Sequence, residues 1–167
     1  MRSGVRTIQE EHESFRRPLE KINELADAIG DLPAEEVLPR VAEVHEFLAH
    51  TVMPHAVAEG VVLFPIVRKE SGVPTIGVRM TQCHVQLSGL VDQLDGVLVS
   101  MRKDPSMRLE RELRRVLYSV QAILSAHLAE AEEEIQPLLD ANLPPEERQQ
   151  LFQAIERCAR EVADLYE

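Results

Sequence analysis

HAVAEGVVLFP at residues 55–65 and HLAEAEEEIQP at residues 127–137 each open on a histidine and close on a proline, 72 residues apart in the chain. The same shift lays His12 on His84 and Pro33 on Pro105. It also lays Ile8, Phe15, Leu19 and Ile22 on Met80, Leu87, Val91 and Leu94, and Val41, Val44 and Leu48 on Leu113, Val116 and Val120. Any two amphipathic helices share an apolar stripe at some offset, but two His pairs and two Pro pairs in one register need a repeated unit. Each half therefore reads as one αα-hairpin.

Working outward, Ile8, His12, Phe15, Leu19, Ile22, Leu25 and Ile29 recur at spacings of three and four, one face of a helix that ends at the C-cap candidate Gly30. A second series runs Val37, Val41, Val44, Leu48, Thr51, His55, Glu59, Leu63 and Ile66, up to the break Ser71-Gly72-Val73-Pro74. A third is Ile76, Met80, His84, Leu87, Val91, Leu94, Leu98 and Met101, closed by Asp104-Pro105. The fourth is Leu109, Leu113, Val116, Val120, Ile123, His127, Ile135 and Leu138. Pro39 fits if it lies in the first turn of the second helix, whereas Pro54 removes a donor in mid-helix and should bend it.

Four long amphipathic helices joined by short connections pack as antiparallel neighbours. The expected fold is all-α: an up-down-up-down antiparallel four-helix bundle over residues 1–140, with hairpin repeats at 5–69 and 75–140. Asn142-Leu143-Pro144-Pro145-Glu146-Glu147 then carries a helix-start pattern, and Leu151, Ile155, Cys158, Val162 and Leu165 form a stripe. Residues 141–167 thus read as an additional C-terminal amphipathic helix, packed on the bundle or joining a second copy in a homo-oligomer.

Composition agrees with a helical interior. The chain has 167 residues, the size of one domain, and its four Phe and two Tyr with no Trp are too few aromatics for a sheet sandwich. A formal net charge of −11 repels phosphate backbones and anionic lipid heads, so nucleic acid and membrane partners are not expected. The opening MRSGVRT is not followed by an apolar segment, and the longest nearly unbroken apolar stretch, residues 60–67, is too short to span a bilayer. A cytoplasmic location is expected, with Cys83 and Cys158 as reduced thiols rather than a bridge.

Four of the six histidines, His12, His55, His84 and His127, sit in the apolar stripes, one per helix. His12 to His55 and His84 to His127 are both 43 residues apart, with midpoints near the turns at Pro33 and Pro105. His55 to His84 is centred near Lys69 and Glu70, beside the third turn. Equal distances up and down each hairpin bring all four imidazoles to one layer. A single His on an apolar face is ordinarily a satisfied core residue, but four at one level would compete for protons unless a metal joins them. Glu59, one turn after His55, shares its face, and the acidic run Glu130-Ala131-Glu132-Glu133-Glu134 follows His127. Nitrogen and carboxylate donors together suit iron, zinc or manganese rather than calcium, and more than four of them favour two bridged metals over one structural zinc.

The sequences EHESFRRPL around His12, FLAHTVMPHAVAEGVVLFP around His55, CHVQL around His84 and HLAEAEEEIQPLL around His127 resemble the hemerythrin-like (HHE cation-binding) family over residues 5–140. The resemblance implies a non-haem centre of two carboxylate-bridged iron ions inside a four-helix bundle, with His12, His55, Glu59, His84 and His127 as ligands. It implies in turn a protein that binds or reacts with dioxygen or peroxide. An iron, redox or oxygen sensor acting through metal-dependent bundle stability, and a metal-poor structural bundle, are the alternatives.

The chain departs from the family pattern at three places. Ala131 stands one turn after His127, where many relatives carry Glu, while Glu132 lies at i+5, where the oxygen-carrying hemerythrins place a bridging carboxylate. On a regular helix i+5 is turned about 140° from His127 and Glu130 at i+3 only about 60°. A regular helix thus favours Glu130, but the resemblance implies Glu132 as the second carboxylate, with a distortion such as a π-bulge to turn it inward and Glu130 as its rival. Met80 and Ser88 stand where a further third-helix His would lie, and Gly60 replaces an acid after Glu59. His45 and His50 lie off the His55 face and should be exposed, Tyr118 should point away from the metals, and Cys83 is rotated about 100° from His84. No nucleophile-and-base pair, Gly-rich phosphate loop or CxxC is present, so no catalytic motif argues for enzymatic turnover.

Overall fold

The structure is a computed structural model that describes residues 7–73 and 75–165. It contains five helices and, among the described residues, no strand. Helix α1 spans Ile8–Ala28 and starts at a capping box, in which the Thr7 hydroxyl accepts from the Glu10 N–H while the Glu10 carboxylate accepts from the Thr7 N–H. It ends before Gly30, whose φ of 96° turns the chain toward Pro33; a Cβ at that glycine would also crowd the Arg114 guanidinium.

Helix α2 spans Ala34–Ser71 and stops at Gly72, in the left-handed conformation. Helix α3 is Val78–Lys103, α4 covers residues 107–142, and α5 is Pro145–Asp164. Around the bundle α1 touches α2 and α4, and α3 touches α2 and α4, which is the expected up-down-up-down arrangement.

Helices α2 and α4 are each continuous but contain π turns, where the backbone bonds close across five residues instead of four. These lie at Leu48–Val52, Glu59–Leu63 and Ala131–Ile135. After each one a proline is the second residue of the resumed α-helix: Pro54, Pro65 and Pro137. Proline has no N–H to give, and its ring collides with the carbonyl four residues back, so the wider turn removes the clash without ending the helix. The bend expected at Pro54 is thus taken up by a π turn. The turns before Pro65 and Pro137 are 72 residues apart, so the repeat of the sequence reappears in the backbone. Pro39 does not lie in the expected first turn of α2; it is the sixth residue, on the exposed side, where the Glu35 carbonyl can turn to water.

Helix α2 is long and apolar enough by length and composition to cross a membrane, more so than residues 60–67 suggested. Its Val37, Val41, Leu48 and Val67 are buried in the bundle.

The apolar interior divides into two clusters. The larger, around Ile22, Leu94, Leu113 and Leu117, fills the end near Pro33 and Pro105. The smaller joins Ile8, Phe64, Met80, Ala131 and Ile135 at the other end to Leu151, Phe152 and Ile155 of α5. Helix α5 therefore folds back on its own bundle, along the Met53–Ala58 and Glu59–Leu63 segments of α2. Arg148 of α5 pairs with Asp140 at the end of α4 and fixes the turn between them.

Phe152 is only 1% exposed at the centre of this contact. Phe152→Ala is expected to cost about 3–5 kcal/mol in urea unfolding. A loss below about 1 kcal/mol would show that α5 is not docked there.

Candidate metal centre

Between the two apolar clusters lies a polar layer. His12 comes from the start of α1, His55 and Glu59 from the middle of α2, His84 from α3 and His127 from α4. His55 and Glu59 are joined by a regular helical turn, the Glu59 N–H donating to the His55 carbonyl, so both side chains leave α2 on one face.

Glu59 is 2% exposed and stands at the middle. Its Oε1 lies 3.5 Å from His12 Nε2 and 3.4 Å from His55 Nε2. Its Oε2 lies 3.1 Å from His84 Nε2 and 3.2 Å from His127 Nε2. One carboxylate thus serves four imidazoles, two on each oxygen, and each hairpin repeat supplies both imidazoles of one pair. In each set, His12–His55–Glu59 and Glu59–His84–His127, the donor atoms all lie within 4.8 Å of one another.

These contacts are poor hydrogen bonds. Glu59 Oε2, His55 Nε2 and His84 Nε2 are buried without a well-directed partner, which is costly in an apolar interior. Two ligand atoms each about 2.0–2.1 Å from a shared metal stand roughly 3.0–3.4 Å apart, depending on coordination geometry. The observed spacings match that edge, so the donor set fits two metal ions sharing one carboxylate.

The electrostatics tell the same story. Burial pushes the Glu59 carboxyl up, yet the charges of His127 and His55 and the contacts with His12 and His127 hold it well below the usual carboxylate range. Burial lowers His12 and prevails over the pull of Glu59, leaving the imidazole readily neutral. Burial also acts to lower His55, but there the Glu59 carboxylate, aided by Glu11, prevails and raises it. An ionised carboxylate ringed by four imidazoles, with His12 readily neutral, is a state a divalent cation would stabilise.

The aromatic shell was not assigned from the sequence. Phe15 stacks on His12 with centroids 5.9 Å apart and meets His55 edge-on at 5.2 Å, while Phe64 stacks on His84 at 5.4 Å. The spacing of Phe15 from His12 on one face was the available signal; that of Phe64 was obscured by the intervening π turn.

Neither acid expected as the second carboxylate is in the cluster. Glu132 is held by Arg16 of α1, whose Nη2 donates to Glu132 Oε1 at 2.5 Å. Glu130 accepts from Arg79 of α3 at 3.2 Å, and the same guanidinium reaches Glu134 at 2.6 Å. The π-bulge that Glu132 needed does exist but begins at Ala131, one turn too late. From His127 to Ala131 the helix is regular, with the Ala131 N–H donating to the His127 carbonyl. That turn points Ala131 inward, fully buried, and rotates Glu132 outward to Arg16. His45 is half-buried, while the exposed His50 pairs with Glu46, and the Tyr118 hydroxyl donates to Asp27 on the outer surface.

Glu59→Gln is expected to lose both metals, since the amide cannot bridge two cations as a carboxylate does. Glu130→Ala, Glu132→Ala, His45→Ala and His50→Ala are expected to keep them. Elemental analysis after metal loading checks all five; metal lost from Glu132→Ala but kept by Glu59→Gln would reverse the assignment.

No curated protein and no solved structure matches the chain. The family model for the hemerythrin HHE cation-binding domain matches residues 3–139, the whole four-helix bundle as far as the last turn of α4, with α5 outside it. With the His/Glu layer in place inside that bundle, the chain belongs to the hemerythrin HHE cation-binding domain family and is a metal-binding helical protein.

Proposed function

We propose that the protein holds two iron ions, one between His12, His55 and Glu59 Oε1 and the other between His84, His127 and Glu59 Oε2, and that this centre binds or reacts with dioxygen or peroxide. The observation that supports it most is the shared carboxylate, each of whose oxygens faces two imidazoles. Such a pair of ions supplies open coordination positions and redox electrons for a small oxidant.

Within this reading the chain's own groups bind and exclude. Each half-site offers two imidazole nitrogens and one oxygen, three donors, and so leaves positions for exogenous ligands. One carboxylate cannot neutralise two divalent cations, so the centre favours small anions and hydroxide beside its oxidant. Phe15 and Phe64 cover the imidazoles, and Ile8, Met80 and Ala131 close the layer on the α5 side, which keeps bulk water out. Iron is favoured over zinc and manganese by the family and by a mixed nitrogen and carboxylate set with open positions.

One observation favours a second reading, a metal-dependent sensor. Helix α5, outside the family match, packs directly on the α2 segment that carries His55 and Glu59. Loss of metal would loosen that segment and could free α5 to meet a partner.

Protein reconstituted anaerobically with ferrous salt is expected to carry two irons per chain. Removing them should lower the melting temperature by roughly 10 °C, since saturation at a thousandfold over Kd contributes about 4 kcal/mol. The metals should leave as the pH is lowered, because imidazoles bind metal only when neutral. Iron near zero by elemental analysis, or an unchanged melting curve after confirmed removal, would contradict the reading. Protection of α5 amides that collapses on chelation would favour the sensor.

A further inference from the structure

A groove of about 600 Å³ separates α1 from α2 and runs toward the metal layer. Ile22 and Leu25 of α1 and Val44 and Phe47 of α2 make its apolar wall. Its mouth carries Lys21 and Arg40 against Glu24 and Glu43, two charges of each sign, all exposed. The end nearest the site is formed by Pro18 and Phe47. From there the Phe47 ring meets Phe15 edge-on with centroids 6.0 Å apart, and Phe15 in turn lies against His12 and His55. The Phe47 and Phe15 rings thus connect a solvent-open groove to the His12 and His55 half of the imidazole cluster.

We propose that this groove is the route by which dioxygen, a small neutral apolar molecule, reaches the metal layer, with the Phe47–Phe15 pair as its gate. The inference rests on the oxidant-binding reading above and narrows it. The balanced mouth neither concentrates nor repels anions, so it gives no steering to a charged ligand. The apolar wall favours dioxygen over peroxide, which must leave its hydrogen bonds behind to enter. Passage of a diatomic molecule would then require rotation of the half-buried Phe47 and buried Phe15 rings, not unfolding of the helices around them. The hollow beside Val73, Ile76 and Val78 is instead lined by the ion pairs of Arg79 with Glu130 and Glu134, a charged wall that offers a neutral apolar molecule no advantage.

The test uses the whole 167-residue chain, methyl-labelled and loaded with zinc in place of iron, under dissolved dioxygen, whose paramagnetism broadens the signals of groups it visits. Broadening is expected to be strongest at Ile22, Leu25 and Val44 and severalfold weaker at Ile76 and Val78. Val44→Trp, which fills the groove, should remove that broadening and slow dioxygen association with the iron-loaded protein at least tenfold at unchanged metal content. Phe47→Ala should speed association severalfold. Broadening centred on Ile76 and Val78, or a Val44→Trp protein that associates at the wild-type rate, would overturn the route. Because the broadening needs no iron, groove broadening without any iron-dependent oxygen binding would sink the function while leaving the access path standing.

Discussion

Everything at the centre of this molecule depends on one buried carboxylate. Glu59 brings a negative charge into an interior of Ile, Leu, Val and Phe, and only the four imidazoles around it make that tolerable. The imidazoles carry the reciprocal problem, because burial disfavours protonation of His12 and each of the four rings has a buried nitrogen without a hydrogen-bond partner. Neither side is satisfied by the other alone. The arrangement becomes favourable when cations stand between them, which is why the bundle around the layer is built to hold five side chains at one level.

That level is kept by the packing above and below it. The larger apolar cluster fixes the four helices at the Pro33 and Pro105 end, and the smaller one, completed by Leu151, Phe152 and Ile155, fixes the other. Polar residues between two packed layers cannot move apart without opening one of them. Helix α5 thus contributes to the site although it supplies no donor. The arginines have a similar indirect part: Arg16 and Arg79 hold Glu132, Glu130 and Glu134 away from the layer, so the acidic run does not compete with Glu59.

Much of this was legible in the residues, and the failures have physical reasons. Equal spacing of His12–His55 and His84–His127 about the turn prolines is a length argument, and lengths survive folding, so the four-His layer could be read directly. Glu59 was legible because a regular turn joins it to His55. The second carboxylate was not: whether Glu132 faces in or out depends on a π turn shifted by a single helical turn, and the pattern of residues shows that some distortion accompanies Pro137 but not where it begins. Ala131, the counterpart of Glu59 under the 72-residue shift, already indicated that the second half lacks that acid. The side on which α5 docks and the groove between α1 and α2 depend on helix rotation and splay, which periodicity does not encode.

A crystal structure of the iron-loaded chain, with anomalous maps at the iron edge, tests the shared carboxylate most directly. Two peaks about 3.5–4 Å apart are expected, one bound by His12, His55 and Glu59 Oε1 and the other by His84, His127 and Glu59 Oε2. A single peak, or iron seated on the Glu130–Glu134 run with Glu59 bare, would contradict the account.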